Sequence, residues 1–236
     1  MFRNFFTQVE AADGLGFGCA WVAESHLSTE VQKGNRDPVV PHFEGEIGLN
    51  VDLLQLAHQV FHRTSRIEVG SAVMNILCNG GPVAAAERIA AFCALHGVNP
   101  EEERRIHIGF SAGRFDFMNR AHGITPRDPV EEAAWPALKG KIFTEACAIF
   151  LRLLKGEALA SAEIPPTTLA RDDFRSDEDW QRVETAWTSL HGEEAPASME
   201  IDPRFSFERL KIIPQEWRRE LLDLVVGSHD PKLQEM

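Results

Sequence analysis

The chain has 236 residues, of which 44% are hydrophobic, and its formal net charge at pH 7 is −12. This length and composition are sufficient for one sizeable buried core. The acidic balance excludes a nucleic-acid partner, which requires a basic face, and it gives no attraction to an anionic membrane.

Helices and short apolar strands alternate through the first part of the chain. Hydrophobic periodicity predicts a helix over 3–12, a strand over 19–23, a helix over 51–63, a strand over 67–74 and a helix over 83–95. A long loop over 27–50, rich in glycine and proline, interrupts this series. Loops of such length in a compact domain are usually functional or mobile.

The same alternation continues in the second part of the chain. The sequence predicts a strand over 105–111, a helix over 133–155 and a strand over 222–226. Residues 156–206 break the rhythm with an acidic stretch, and we interpret them as an insertion with one short helix over 176–190. The alternation predicts parallel βα units, which form either a closed barrel or an open doubly wound sheet.

The cysteines and the N-terminal stretch indicate in which cellular compartment the protein is expected. Cys19, Cys78, Cys93 and Cys147 lie far apart, without the spacing of metal-binding or redox motifs, which predicts reduced thiols in a cytoplasmic protein. The N-terminal stretch lacks the apolar core of a signal peptide, and no apolar run approaches the ~20 residues of a membrane span. We therefore expect no membrane attachment.

Polar or small residues follow each predicted strand. They are Glu24, Ser25 and His26 after the first, Ala72, Val73 and Met74 in the second, Ser111, Gly113 and Arg114 after the third, and Gly227, Ser228 and His229 after the last. Ligands of parallel βα proteins bind at the C-terminal ends of strands, so these residues form the candidate site. Imidazole exchanges protons near neutral pH, which makes His26 a candidate acid or base.

Each candidate also has a simpler structural interpretation. His26 could hydrogen-bond Glu24 within an ordinary loop, and Arg114 could form a surface salt bridge. Ser228 could cap a helix, a role that is compatible with phosphate binding at the same helix N-terminus. His58 and His62 have the spacing of metal ligands on a helix but lack the zinc-protease pattern, and we interpret them as surface residues.

Five stretches of the chain resemble, in order, segments of the bacterial luciferase-like flavin monooxygenases. They are AADGLGFGCAWVAESHL (11–27), RTSRIEVGSAVMNI (63–76), GGPVAAAERIAAFCALHG (80–97), RIHIGFSAGRFDFMNRAHGI (105–124) and LKIIPQEWRRELLDLVVGSHDP (210–231). The resemblance implies an α/β fold, a TIM-type (β/α) barrel, in which the first strand and the last βα units have no counterpart here. It treats 1–236 as a single partial barrel domain with the insertion at 156–206.

The resemblance also implies a chemistry and a set of partners. Members add O2 to reduced flavin, FMN or a deazaflavin relative, and pass one oxygen to an organic small molecule, whereas some members only transfer hydride. A flavin reductase supplies the reduced cofactor. Either the chain is a fragment of a longer protein that contains the rest of the barrel, or a second copy or a partner chain supplies it.

Carried over by position, the family's site residues fall on the strand ends. His26 is the implied catalytic residue, although Ser25 stands where many members have a second histidine. Ala72 and Val73 occupy the place of a non-proline cis peptide bond under the flavin ring. The implied cofactor-binding residues are Glu24, Ala72, Val73, Met74, Ser111, Gly113, Arg114, Gly227, Ser228 and His229, the last six on the phosphate side.

Two other functions compete with a flavin monooxygenase. The missing strands and Ser25 are compatible with a non-catalytic partner subunit or an inactive fragment of such a protein. A metal-dependent hydrolase on the same barrel would use His26, His229 and nearby acids, but the sequence offers few converging ligands.

Overall fold

The computed structural model describes residues 2–27, 50–113 and 116–227. In chain order the elements are α1 (Phe2–Leu15), β1 (Cys19–Val22), α2 (Leu53–Arg63), β2 (Glu68–Asn75), α3 (Gly81–His96), β3 (Ile106–Ser111), α4 (Asp116–Ala121), α5 (Pro129–Leu154), β4 (Thr167–Ala170), α6 (Asp177–His191), β5 (Ser198–Ile201) and β6 (Leu222–Val226). Three short 3-10 turns lie at Ser161–Glu163, Arg171–Asp173 and Arg219–Leu221.

The chain divides into two compact units. The first comprises Met1–Asn75, Ala91–Gly113 and Glu216–His229, and the second comprises Ile76–Ala90, Arg114–Gln215 and Asp230–Met236. The first unit therefore contains α1, α2 and all four strands of the larger sheet, whereas α3 is divided between the units.

The larger sheet is entirely parallel, with the order β1-β2-β3-β6. Its neighbours follow the order of the chain without reversal, as in βα barrels, whereas doubly wound sheets reverse at a switch point. The predicted α/β class with parallel βα units is confirmed. The four strands form an open sheet in the described part of the chain, so a closed barrel remains a prediction.

The core of the first unit lies between one face of the sheet and its helices. Val69, Ile106 and Ile108 are fully buried on that face. Helix α2 contributes an apolar stripe that includes Leu53, Ala57, Val60 and Phe61. The stripe forms because apolar residues recur at helical spacing and because the Asp52 carboxylate caps the first turn, accepting the N–H groups of Leu54 and Gln55.

Arg104 fixes the start of β3 against the end of α2. Its guanidinium donates to the carbonyl oxygens of Phe61 and Thr64 and forms two hydrogen bonds with the Glu102 carboxylate. The hydrogen bonds from Arg104 lower the pKa of Glu102 to about 2, so the carboxylate stays ionised. These hydrogen bonds of Arg104 therefore fix the start of β3 in place relative to the end of α2.

Two glycines let neighbouring strands and side chains approach closely. A Cβ at Gly109 would lie 2.2 Å from the carbonyl oxygen of Ser71, and one at Gly70 would lie 2.5 Å from the indole of Trp21. Gly109 therefore permits the close pairing of β3 with β2, and Gly70 leaves the space that the Trp21 ring fills.

The second unit is organised by the 26-residue helix α5. Asp128 caps its start, and Pro129 occupies the first turn, where the missing N–H costs nothing. Buried Glu131 accepts from the guanidinium of Arg204 at 2.8 Å, so both charges are compensated. Glu145, also buried, accepts the backbone N–H of Arg204.

Residues 156–206 contain more structure than predicted. The predicted helix over 176–190 is confirmed as α6, which begins after the Ser176 cap and ends at Gly192 in the left-handed conformation. Strands β4 and β5 were not predicted, and they pair antiparallel in a separate two-stranded sheet. Each has four residues, too few to show a clear alternation in the sequence.

No helix among residues 2–27, 50–113 and 116–227 is both long and apolar enough to cross a membrane. Cys19, Cys78, Cys93 and Cys147 are not joined by disulfide bonds, and the latter three are buried.

We expect Gly109→Ala to lower the free energy of unfolding by about 1–3 kcal/mol, because the new methyl group must displace the backbone of β2. Denaturant unfolding followed by circular dichroism measures the change. Gly14→Ala is the matched control in the same unit, since no atom lies within 4 Å of its added Cβ. In helix α1 it should raise stability by up to ~1 kcal/mol. Equal effects of the two substitutions would contradict the close β2–β3 approach.

Candidate functional site

The candidate site lies at the C-terminal edge of the parallel sheet. The strand register places Val22 beside Ser71, Asn75 beside Ser111 and Phe110 beside Val226. Because the four strands run in the same direction, the segments that follow them emerge at a common edge. This is the edge at which βα proteins bind ligands.

A buried carboxylate–imidazole pair follows β1. The Nε2 atom of His26 lies 3.0 Å from Oε1 of Glu24, and the two side chains are only 6% and 3% exposed. Residues two apart on an extended segment point to the same side, which explains why Glu24 meets His26 and not Ser25. The simpler interpretation of His26, a loop histidine that hydrogen-bonds Glu24, included this contact, and the catalytic role of His26 stays a prediction.

Asn50 holds this segment in place. The N–H of Ser25 donates to the carbonyl oxygen of Asn50 at 3.0 Å, and the Asn50 amide donates to the carbonyl oxygen of Ala23 at 3.4 Å. Asn50 is itself buried. No local pattern indicates this role, because Asn50 lies 27 residues from Ala23 along the chain. The Ser25 hydroxyl is buried and has no hydrogen-bond partner among the described residues.

The end of β2 presents small side chains. The peptide bond between Ala72 and Val73 is cis, as the family resemblance implied. Ala72 is exposed and Val73 is partly exposed, whereas Met74 is buried in the core. Of the three residues expected to bind the cofactor here, Ala72 and Val73 therefore line the open edge and Met74 supports it from behind.

The ends of β3 and β6 meet the end of β2. Gly113 has a φ of 76° and packs so closely on Asn75 that a Cβ would lie 2.2 Å from the amide nitrogen. The Gly113 N–H donates to the Ser111 hydroxyl at 3.1 Å, and the Gly227 N–H donates to the Phe110 carbonyl oxygen at 2.8 Å. A Cβ at Gly227 would lie 3.6 Å from the Val73 side chain.

The structure thus brings Val73, Ser111, Gly113 and Gly227 together, along with Asn75, which sequence reasoning missed. The signal for Asn75 was its position as the first polar residue after the apolar run of β2. Arg114, Ser228 and His229 lie outside the described residues, although they adjoin Gly113 and Gly227 in the sequence.

This edge has the features that a flat ligand with an anionic tail requires. Ala72, Gly113 and Gly227 leave the edge free of bulky side chains, so a planar ring can approach the backbone. The Ser111 hydroxyl accepts from Gly113 and has its own O–H to donate. These residues are compatible with a flavin, and the Glu24–His26 pair adds a group that can hold or move a proton.

A second polar cluster, which sequence reasoning also missed, lies on the sheet face that carries Trp21. Glu68 accepts from Arg105 at 3.1 Å and lies 2.6 Å from a His107 ring nitrogen. Asp223 lies 2.7 Å from Arg105 and 3.2 Å from the other ring nitrogen of His107. The four side chains form a closed ring in which each carboxylate contacts both Arg105 and His107, and this ring joins β2, β3 and β6. The sequence signal for this cluster is the presence of charged residues in or next to otherwise apolar strands, at positions that the register places side by side.

The cluster keeps the carboxylate of Glu68 ionised. Burial alone would raise the pKa of Glu68, but hydrogen bonds from His107 and Arg105 outweigh it and hold the pKa below its ordinary value. Burial and the nearby charge of Glu68 raise the pKa of the Cys19 thiol to about 11, so this thiol stays protonated.

The metal-hydrolase hypothesis finds no support in the described part of the chain, where no group of three or more His, Cys, Asp or Glu residues could hold a metal ion. His58 and His62 are both exposed on α2, which confirms their interpretation as surface residues.

Comparison with known proteins gives a structural likeness only. No protein-family model and no curated protein matches the chain. The chain is similar to the crystal structure of monooxygenase RslO1 from Streptomyces bottropensis, with a TM-score of 0.53 and 16% sequence identity, over 95% of this chain and 46% of that one. This likeness concerns the fold.

A second solved structure is less similar. It is the oxygenating constituent of 3,6-diketocamphane monooxygenase from Pseudomonas putida, a type II Baeyer–Villiger monooxygenase in complex with FMN. Its TM-score is 0.45 at 15% identity, over 66% of this chain and 34% of that chain. The chain therefore spans less than half the length of either solved structure.

We expect Glu68→Gln to lower stability at pH 7 by ~1 kcal/mol, because Arg105 and His107 lose their charged partner. The folded-state pKa of Glu68 lies below its unfolded value, so its stabilisation is present above that value and is lost as the pH falls through the folded pKa. Urea unfolding of both proteins should therefore show the difference shrinking below about pH 4.5.

Glu103→Gln is the matched control, because Glu103 is exposed and lies in the same unit. It should leave stability unchanged at every pH. A Glu68→Gln difference that persisted unchanged at pH 3 would contradict an electrostatic role for the cluster.

Proposed function

We propose that this chain is a flavin-dependent monooxygenase that uses reduced FMN and O2 to oxidise an organic small molecule. The observation that carries the proposal is the convergence of the buried Glu24–His26 pair with the small, accessible ends of β2, β3 and β6 at one sheet edge. The likeness to a monooxygenase fold supports it as an analogy of fold, which by itself does not define a reaction.

The family resemblance of the strand-end motifs is the reason for naming FMN. The ring would lie against Ala72 and Val73, with Glu24 and Met74 nearby, and the phosphate would be held by Ser111, Gly113, Arg114, Gly227, Ser228 and His229. Arg114 supplies the positive charge, and the glycines allow the backbone to approach. When bound, the flavin supplies the redox chemistry, and a flavin reductase keeps it reduced.

His26 is the proposed proton carrier of the site. Glu24 lies within hydrogen-bonding distance of Nε2 and thereby orients the ring, and the imidazole is the group that can hold or move a proton at this edge. Burial excludes water from the pair, which strengthens the interaction between carboxylate and imidazole. Glu24 acts through His26 and is therefore a positioning residue.

The sheet supports a TIM-type barrel for the complete site. Its strands are parallel and follow the order of the chain, as such a barrel requires, and β1 and β6 are the strands at which further strands would join.

Flavin titration tests the binding half of the proposal. We expect saturable one-to-one quenching of FMN fluorescence by the wild-type chain. Ala72→Trp should raise the Kd at least about tenfold, equivalent to ~1.4 kcal/mol, because the indole would occupy the accessible edge. Ala197→Trp, at an exposed alanine of the other unit, should bind like the wild type. Absence of saturable binding by the folded chain would overturn the proposed function.

Flavin reoxidation tests the role of His26. We expect His26→Gln to retain FMN binding within about threefold but to flatten the pH dependence of reduced-FMN oxidation by O2, because the glutamine amide cannot take up or release a proton as imidazole does. Stopped-flow absorbance gives the rates. His62→Gln, an exposed histidine on α2, is the control. Identical pH profiles for the wild type and His26→Gln would remove His26 from the proton-transfer role.

A further inference from the structure

An asparagine–glycine pair occupies the tight turn between β2 and α3. Asn79 has a φ of 52° and Gly80 a φ of 93°, and the Gly81 N–H donates to the carbonyl oxygen of Cys78 at 3.0 Å. Positive φ at both central residues, closed by this hydrogen bond, is typical of a type I′ turn. The turn accounts for the backbone of the pair but makes no use of the asparagine side chain.

The turn leaves this pair open to solvent. Asn79 and Gly80 are both exposed. The Asn79 N–H donates to Nδ1 of His122 at 3.4 Å, whereas the Gly80 N–H donates to no acceptor within residues 2–27, 50–113 and 116–227. Because glycine has no Cβ, the nitrogen of Gly80 can approach the side-chain amide of the preceding residue without steric hindrance. A nucleophile and a carbonyl carbon thus lie on adjacent residues.

We propose that Asn79 is a site of spontaneous deamidation, at which the chain modifies itself without an enzyme. The backbone nitrogen of Gly80 loses its proton to solvent and attacks Cγ of Asn79. The new N–Cγ bond closes a succinimide ring, the bond from Cγ to the side-chain nitrogen breaks, and ammonia leaves. Water then opens the ring at either of its carbonyl carbons. The net reaction consumes one water, releases one ammonia and yields aspartate or isoaspartate.

The two products differ in their effect on the turn. Each adds a carboxylate to a turn that is uncharged in the unmodified chain. Aspartate leaves the backbone as it was, whereas isoaspartate inserts a methylene group into the main chain. Because the turn is closed by a hydrogen bond from Gly81 to Cys78, the longer backbone of isoaspartate disrupts this closure. The aspartate product therefore preserves the connection from β2 to α3, and the isoaspartate product disturbs it.

Asp13–Gly14 is the other pair in this sequence that can form a succinimide, and its surroundings oppose the reaction. Its carboxylate accepts the backbone N–H groups of Ser65, Arg66 and Ile67 at 3.0, 2.8 and 2.8 Å. Burial raises the pKa of Asp13, but these hydrogen bonds lower it by more, so the group stays ionised and is a poor target for a nucleophile. Gly14 lies in helix α1, where helical hydrogen bonding uses its N–H.

Peptide mapping by mass spectrometry tests the proposal on the folded chain, incubated at neutral and at mildly alkaline pH. We expect Asn79 to convert at least about tenfold faster than any other described asparagine, equivalent to ~1.4 kcal/mol in activation free energy. The others are Asn4, Asn50, Asn75, Asn99 and Asn119, and each is followed by proline or by a residue with a side chain. The rate should rise with pH, because the attacking nitrogen must lose its proton. Labelling with an isoaspartyl methyltransferase identifies the isoaspartate product.

Asn79→Gln is the matched variant, because its amide is one carbon further from the backbone and cannot close the same five-membered ring. It should fold like the wild type by circular dichroism and show no conversion at this position. Asn79→Asp supplies the reference for the aspartate product. Asp13 is the internal control, and it should stay unmodified in the folded chain but isomerise in urea.

The reaction requires only water, so it can be followed whether or not the chain binds FMN. Failure of flavin binding therefore leaves this proposal intact. An Asn79 that stays unmodified in the folded chain, that converts no faster than the other asparagines, or that converts only after unfolding in urea would each overturn it.

Discussion

The close parallel pairing of β2 with β3 is the constraint on which the first unit depends. At Gly109 the carbonyl of Ser71 approaches to a distance that no side chain would allow. This contact fixes the position of the two central strands relative to each other along the strand direction. Strands β1 and β6 pair with them in a defined register. That relative position determines three features of the sheet edge: the exposure of Ala72, the Asn75–Gly113 contact and the position of Gly227.

The two ends of the sheet face have different electrostatic roles. Toward the N-terminal end, the Glu68 cluster pairs every charge it contains and braces three strands. Toward the C-terminal end, the sheet offers small residues, backbone groups and one buried carboxylate–imidazole pair. Paired charges stabilise a framework, whereas a group that must exchange a proton needs a neighbour that orients it without neutralising its role.

Much of this arrangement could be predicted from local sequence patterns, and the exceptions are long-range. Strand β6 begins and ends where its apolar run predicted, and the Glu24–His26 contact follows from spacing on an extended segment. Asn50 contacts Ser25 only through tertiary folding, so no local pattern could reveal it. The cluster around Glu68 required the register of three strands, and β4 and β5 are too short for periodicity to be distinguished from a loop.

The exposed edges and the candidate site have one physical origin. A βα unit stabilises its strand only when a neighbouring strand and a helix cover it, so the end members of an open series are always incompletely buried. Here the incomplete members are β1, which leads into Glu24 and His26, and β6, which leads into Gly227. The two strands at the open edges of the sheet therefore also lead directly into residues of the candidate site. Whatever covers these strands also determines how fully the Glu24–His26 pair and the accessible edge are enclosed.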